Sequence, residues 1–449
     1  MRRETVIETG KIEREKEALG KRPGKQPSAP RITLAWGELG PRLVPVFAVI
    51  TAMLFGGLFM LLAGTDWAAA REAYTARGVG GFVQELGPGI ARAGAAYEAL
   101  IEGATGFGYI DPETTRVQRT VLTLVPLGEK AIVFIPSNLI GTVVRAIPFI
   151  LGGLAVALGF KCGLFNIGAE GQLYAGALLS VYVGFHPALR EWPALVHIPL
   201  AVAAGILGGM FWGSIPGFLK ARTGAHEVIN TIMMNYVAIR LADWLIKSRE
   251  PVILLDTSAS VPRTPFIAQT AMYPMIGDTP LHLGLFVALG AAVMVWWFLY
   301  RTTAGFEIRT VGANPAAAKY AGISVARNIV LAMALSGGLA GLAGAGEVLG
   351  VQHNLLPGFF AGVGFDSIAI ALLARTNPFA IIPAALLWGG LLNGAGLMQI
   401  RADLSIDLVK IIQALIVMFV AADQIVRALW RVRARRREEE AIFSRGWGS

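Results

Sequence analysis

Cysteine is almost absent: Cys162 is the only one in 449 residues, which excludes an internal disulfide and any multi-cysteine metal site. Charge is scarce as well. Only 15% of the residues are Asp, Glu, Lys or Arg, against roughly 25% in an ordinary soluble domain. The chain lacks a G-x-x-x-x-G-K-S/T phosphate loop, an H-E-x-x-H pair and a nucleophile elbow. ATP hydrolysis and the common hydrolase chemistries are therefore not expected on it. No catalytic residue, no metal ligand set and no cofactor bound by this chain is expected.

Apolar residues fill the gap. They make up 55% of the chain, the mean hydropathy is +0.58, and unbroken apolar stretches of about 20 residues recur, the length that crosses a bilayer. This excludes a soluble enzyme, a disordered scaffold and a single-pass receptor. The pattern predicts an all-α polytopic membrane protein with about ten transmembrane helices, some of them broken. The expected spans are 43–63, 139–160, 167–186, 195–219, 228–246, 281–300, 326–350, 364–374, 379–400 and 404–426. The eighth is too short to cross as one straight helix, and broken spans persist only where protein buries the backbone.

The net charge of +9 does not point to nucleic acid, because the basic residues cluster at the ends and in short loops between apolar runs. With a cytoplasmic N-terminus, the inside segments 1–42, Lys161, 220–227, 301–327, Arg375 and 427–449 hold 25 of the 39 basic residues. The outside segments hold 11, although they are the longer set, so the bias fits the positive-inside rule. Residues 1–42 then form a cytoplasmic basic tail, too polar for a secretory h-region, and no cleaved signal is expected. Residues 43–426 form the membrane domain and 427–449 an Arg-rich cytoplasmic tail. Residues 64–138 read as external or interfacial, since the apolar run VLTLVPLGEKAIVFIP carries Glu129 and Lys130 in its middle. Five prolines in 247–280 predict an extended external connection there.

Polar residues inside the spans are the candidates for function. In GLFNIGAEGQLYAGALL, 163–179, Asn166, Glu170 and Gln172 stand among four glycines. Ionisable groups at membrane depth are costly and mark a pathway, or they tie helices together by hydrogen bonds; both readings are open for Glu170. Asn230 and Asn235 lie five residues apart on the next span, about 140° around a helix, so they cannot share one narrow face. His226 beside Glu227 has no further ligand at helical spacing and is no metal site. Asp366 sits in GVGFDSIAIALLARTNPFA, whose layout of glycines, an acid and an apolar run echoes the first segment and hints at two related halves. In SGGLAGLAGAGEVLG, Gly337, Gly341 and Ala345 form one small-residue row and Ala340 and Gly344 another, which predicts close helix packing. Glu347 is the exception in that helix.

The cytoplasmic loop 301–325 has a definite design. Asn314 is a helix N-cap and Pro315 a first-position proline. Ala316 to Ala318 favour helix and Gly322 suits a left-handed stop. A helix of about two turns, flanked by Arg309 and Lys319, is expected there as a docking element for a cytoplasmic partner.

These residues resemble a known family. GLFNIGAEGQ, TGAHEVINTIMMNYVA at 223–238, TTAGFEIRTVGANPAAAKYAGI at 302–323, SGGLAGLAGAGEVLG and GFDSIAIALLARTNP are similar to the permease subunits of ATP-binding-cassette importers for nucleosides and simple sugars. That group is related to the ribose and branched-chain amino-acid permeases. The resemblance runs from about 140 to 430, closer to the nucleoside branch. Two departures are the length of 108–138 and Ala374, where the family commonly has Gly.

The resemblance implies a type II importer-like permease in the cell (inner) membrane with both termini cytoplasmic. It implies a second permease chain, identical or homologous, an ATPase subunit that uses ATP, an extracytoplasmic substrate-binding protein, and surrounding lipid. Asn166, Glu170, Gln172, Asn230, Asn235 and Asp366 are the substrate-pathway candidates. Arg309, Gly312, Asn314, Pro315, Ala318, Lys319 and Gly322 are the candidates for coupling to the ATPase. The competing class is a self-contained secondary carrier or channel that uses Glu170, Glu347 and Asp366 as ion carriers; an exposed Asn-Pro helix counts against it.

Overall fold

Apolar runs with few turn residues leave the backbone no hydrogen-bond partner but itself, so helices dominate. The computed structural model describes residues 40–110, 122–127, 130–360 and 362–430. Nearly all of the 1–42 tail, and 431–449 of the C-terminal tail, lie outside the described residues. The long helices are α1 (Gly40–Gly64), α2 (Trp67–Thr105), α3 (Pro136–Lys161), α4 (Ala169–Phe185), α5 (Ala194–Thr223), α6 (Glu227–Lys247) and α7 (Gly284–Arg301). Two short helices follow, α8 (Thr303–Ala313) and α9 (Pro315–Tyr320). Then come α10 (Val325–Glu347), α11 (Val363–Leu373), α12 (Pro378–Ala402), α13 (Asp407–Ala421) and α14 (Asp423–Leu429).

A helix stands at each of the ten expected spans, but they are not equivalent. Among the described residues six helices are long and apolar enough to cross a membrane: Leu43–Gly64, α3, α5, α7, Val325–Gln352 and α12. Of the other four, α4 has 17 residues and α11 has 11. The 21-residue α6 carries Glu227, Arg240, Asp243 and Lys247. The last, 404–426, is α13 and α14 bent by 89°. Chain length and local charge, not apolarity alone, separate the two groups.

The centre is α3, packed against α4's neighbours α10 and α11 and against α12, and buried along most of its length. Beside it α5 and α10 cross almost backbone to backbone. An added Cβ at Gly337 would stand 2.2 Å from the Gly209 carbonyl oxygen, and one at Gly341 would stand 2.2 Å from that of Gly205. The Gly337–Gly341–Ala345 row thus faces α5, while Gly344 of the second row meets Leu173 and Ala177 of α4. Small residues supply contact where the lipid supplies no hydrophobic drive.

Residues 64–138 correct the all-α expectation. They contain α2, bent at Gly78 (φ 65°, ψ −153°), and a three-stranded antiparallel sheet in the order β1-β3-β2, with β1 Phe107–Ile110, β2 Leu122–Leu127 and β3 Lys130–Phe134. The run read as one apolar stretch is two strands paired as far as Leu127–Lys130; Glu129 lies outside the described residues. Its Val, Ile and Thr content suits strands. The final turns of α2 are buried against α12, where a Cβ on Gly103 would come within 2.6 Å of the Gly394 Cα.

One ion pair closes this junction. The fully buried Glu102 accepts two hydrogen bonds from Arg401, at 2.6 and 2.9 Å. Asn393 donates to the carbonyls of Gly103 (2.7 Å) and Asn138 (2.8 Å). Removing one member of a buried pair costs about 3–5 kcal/mol, but the two members are not equally buried: a third of the Arg401 side chain is exposed. Arg401→Ala, which strands a buried carboxylate, should therefore lower the thermal unfolding midpoint in detergent more than Glu102→Ala, which leaves an arginine able to reach water. The double variant should recover part of the Arg401→Ala loss. Equal effects of the two single variants would contradict this account.

Candidate functional site

The polar residues of 163–179 gather because the chain turns back into the bundle after α3. The loop 162–168 begins where Cys162 Sγ donates to the Asn328 carbonyl (3.7 Å). Asn166 Nδ2 donates to Gln172 Oε1 (2.9 Å) and to Ser336 Oγ (2.8 Å), and Asn166 Oδ1 accepts from Gln172 Nε2 (3.1 Å) and from the Gly168 N–H (3.0 Å). Ser336 Oγ in turn donates to the Ala155 carbonyl of α3 (2.6 Å). From α6, Asn235 accepts from the Gly171 N–H (2.8 Å) and donates to the Ile167 carbonyl (2.9 Å). The first turn of α4 is therefore held by side chains from three other elements, all of them buried.

Glu170 reaches out of that turn to a second helix start. Its carboxylate accepts from the Gly362 N–H (3.0 Å) and the Gly364 N–H (2.6 Å) at the beginning of α11. A negative group at a helix N-terminus satisfies free amides and meets the positive end of the dipole. The approach is as close as backbones allow, since an added Cβ at Gly364 would lie 2.2 Å from the Glu170 nitrogen. One turn along α4, Tyr174 donates to the Phe360 carbonyl (2.8 Å) and its ring lies 4.4 Å from that of Phe359. Asp366, on α11, accepts from the Trp388 indole of α12 (3.0 Å).

The six pathway candidates thus fall into three places. Asn166, Glu170, Gln172 and Asn235 form one connected knot, and Asp366 sits beyond it on α11. Asn230 stands apart on α6, with its Nδ2 enclosed and without a hydrogen-bond partner among the described residues. Sequence reading did not single out Ser336, Tyr174 or Trp388, because a lone hydroxyl or aromatic in an apolar helix carries no spacing signal.

The coupling candidates lie at one end of the bundle. Asn314 Oδ1 caps α9 by accepting from the N–H groups of Ala316 (3.0 Å) and Ala317 (3.1 Å). Pro315 follows as expected, and Gly322 is left-handed at φ 80°. The helix is shorter than the 314–322 reading because the left-handed stop takes two residues of it. Ala318 is its one buried residue, whereas Lys319 is exposed and Tyr320 is 97% exposed. Arg309 fastens α8 to the end of α7 by donating to the Leu299 carbonyl (2.9 Å), and its guanidinium lies over the Tyr300 ring. At Gly312 an added Cβ would stand 2.2 Å from the Lys161 carbonyl oxygen. The 220–227 turn shares this end: Gly217 packs on Met333 near the start of α10, and Lys220 pairs with Glu227 at 2.9 Å. Burial alone would raise the Glu227 carboxyl, but the Lys220 ammonium beside it, a backbone hydrogen bond and the neighbouring His226 together outweigh that and hold it below the usual carboxylate value. The opposite end carries the proline-rich loop, tied down where Ala268 donates to the Gly184 carbonyl and Tyr273 to that of Leu349.

The knot makes a graded prediction. Gly364→Ala must push α11 off Glu170 and should cost most of the correctly folded yield on size exclusion. Glu170→Gln keeps the shape but turns an N–H donor toward another donor, a loss of about 1–3 kcal/mol, and should give a folded protein with a lower melting midpoint. A Gly364→Ala protein as stable as its parent would show that the contact carries no weight.

Residues 138–421 match the family described as the branched-chain amino acid transport system permease component. The guanosine ABC transporter permease protein NupP of Bacillus subtilis is 44% identical over 396 residues, covering 87% of this chain and 96% of that protein. The nucleoside ABC transporter permease protein NupB of Lactococcus lactis is 37% identical, covering 63% of this chain and 78% of its own length. The glucose ABC transporter permease protein TsgB13 of Haloferax volcanii is 34% identical, covering 63% and 75%. A polytopic helical bundle with an exposed capped helix at one end, matched over these lengths, belongs to the ABC transporter permease family of the branched-chain amino acid transport type.

Proposed function

We propose that this chain is one of two permease subunits of an importer that carries nucleosides across the cell membrane, driven by ATPase subunits on the cytoplasmic side. The second permease is a copy or a homologue, and a substrate-binding protein delivers the solute from outside. Both termini are cytoplasmic and the ten helical segments make up the membrane domain, in line with the distribution of Lys and Arg. ATP is used by the partner, since this chain has no phosphate loop of its own.

The observation that carries this reading is α9, a capped helix whose outer residues are in water although its neighbours are packed. Exposed alanines and a bare Tyr320 suit insertion into a groove of another protein. A secondary carrier has no use for such a foot, and its supposed ion carriers Glu170 and Asp366 are engaged with α11 amides and with Trp388. Nucleosides are favoured over hexoses because the guanosine permease aligns over 87% of the chain, including sequence before residue 138, where the family match begins. The glucose permease aligns over only 63%.

Coupling can be tested in the reconstituted transporter. Ala317→Asp, or Pro315→Gly together with Gly322→Val, should leave the permease folded and the ATPase active while nucleoside uptake falls to background. Uptake unchanged in both variants would remove the docking role of α9.

A further inference from the structure

The three-stranded sheet has one packed face and one exposed apolar face. Residues paired across a ladder share a face. The register Phe107↔Phe134, Tyr109↔Ile132, Leu122↔Phe134 and Val125↔Ile132 therefore puts all of these side chains on one side. Of them Phe107, Tyr109, Leu122, Val125 and Ile132 are exposed. The alternate residues Ala131 and Val133 are buried. Gly108, between Phe107 and Tyr109, backs onto the ion pair: a Cβ there would stand 2.5 Å from Glu102 Oε2. The sheet thus lies by its packed face on the Glu102–Arg401 junction and turns the apolar face away from α12.

The level of that face is set by what the sheet hangs from. Arg401 is the penultimate residue of α12, and Ile135, which donates to the Gly106 carbonyl at 2.7 Å, immediately precedes α3. Both helices are long and apolar enough to cross a membrane, so the sheet begins where two spans end. It is the end opposite α9, since the far end of α3 is the Lys161 carbonyl on which Gly312 packs. Phe134 is two residues from Pro136, about 7 Å along a strand, and headgroups occupy roughly 5–8 Å beyond the hydrocarbon on each side. The apolar surface does not stop at the span: Leu139, in the first turn of α3, and Ile101 of α2 are exposed as well.

We propose that this sheet face is a membrane anchor, seated among the phospholipid headgroups with its apolar side chains against the acyl chains. Between β1 and α2 it leaves a groove of about 330 Å³, lined by Ile101, Phe107, Tyr109 and Ile132 with Glu98 as its one charged group. The groove takes part of a phospholipid acyl chain. An aromatic ring with a polar tip, as in Tyr109, among purely apolar neighbours is the composition that a bilayer interface favours. In water the same surface would be an apolar patch without a cover; in the interface its area contributes to binding. The anchor is independent of the solute that the transporter carries.

Cysteine labelling tests this, because the chain's one native cysteine, Cys162, is buried. Nitroxide labels are placed on Ile132→Cys and, separately, on Val125→Cys of the full-length permease. The complete transporter is then assembled in liposomes of phosphatidylethanolamine and phosphatidylglycerol. Relaxation by oxygen, which partitions into lipid, is compared with relaxation by a water-soluble nickel chelate. Leu54→Cys, exposed on the α1 span, gives the lipid reference, and Asp278→Cys, exposed in the proline-rich loop, gives the aqueous one. At both sheet positions the oxygen-to-nickel ratio should stand severalfold above that at Asp278. The two positions lie on different strands and off the packed face, so a loss of folded protein at one leaves the other to decide. A ratio equal to that at Asp278 would put the face in water and overturn the anchor. Weak relaxation by both reagents would mean that a protein covers the face, which overturns it as well.

Discussion

The carboxylate of Glu170, bound to the amides of Gly362 and Gly364, is the contact on which the rest of the bundle depends. Helices that begin in a buried interior expose N–H groups that no water can satisfy. Here two such beginnings face each other. The start of α11 is satisfied by an acid from the first turn of α4, and the start of α4 is satisfied by Asn235 from α6. Each short helix therefore begins against a side chain borrowed from another one, α11 from α4 and α4 from α6. Glycine at 364 is required because no Cβ fits between the backbones.

The same arrangement joins the end of the bundle that carries α9 to the interior without a flexible link. Gly312, at the end of α8, lies on the Lys161 carbonyl and the Cys162 backbone. Cys162 opens the loop that carries Asn166, and Asn166 is locked to Gln172 and Ser336. Contacts thus run without a break from α9 through α8 to a loop whose far end is the Glu170 turn. Each step past Gly312 is a close backbone approach or a hydrogen bond between buried groups. This is contiguity, and coupling along it is a matter of measured energies.

Legibility in the sequence followed the physics of each signal. Apolar runs marked a helix at each of the ten places, but only six of those helices are long and apolar enough to cross a membrane, because apolarity alone does not set helix length. The Asn314–Pro315 start was readable because capping is local, and the Gly337–Gly341–Ala345 row because small-residue spacing is local too. What α2 does was hidden: its alanines and glycines have low hydropathy, and only the three-dimensional meeting with Gly394 explains Gly103. The strands were hidden by length, since five or six apolar residues look the same in a strand and in a helix segment. At the site, the sequence marked Asn166, Glu170, Gln172, Asn235 and Asp366 as polar groups in the wrong place. It could not say that they meet one another, because their partners are up to about 200 residues away in the chain.

Arg145 was counted by the sequence only as a charge within a span, and it now links two parts that look separate. Asn393, which accepts from Arg145, also donates to the carbonyls of Gly103 and Asn138. The end of α2, the start of α3 and the middle of α12 therefore converge on one amide. The Glu102–Arg401 pair clamps the same junction from outside. An amide whose Nδ2 donates to two fixed carbonyls has one orientation, so the direction of its Arg145 contact is set by how α2 sits on α12. The strand-and-helix segment before residue 138, outside the matched family region, thus has a physical reason to be attached through buried polar contacts rather than by apolar packing alone. Apolar surfaces tolerate sliding, whereas a doubly bonded asparagine and a bidentate ion pair fix position and angle together.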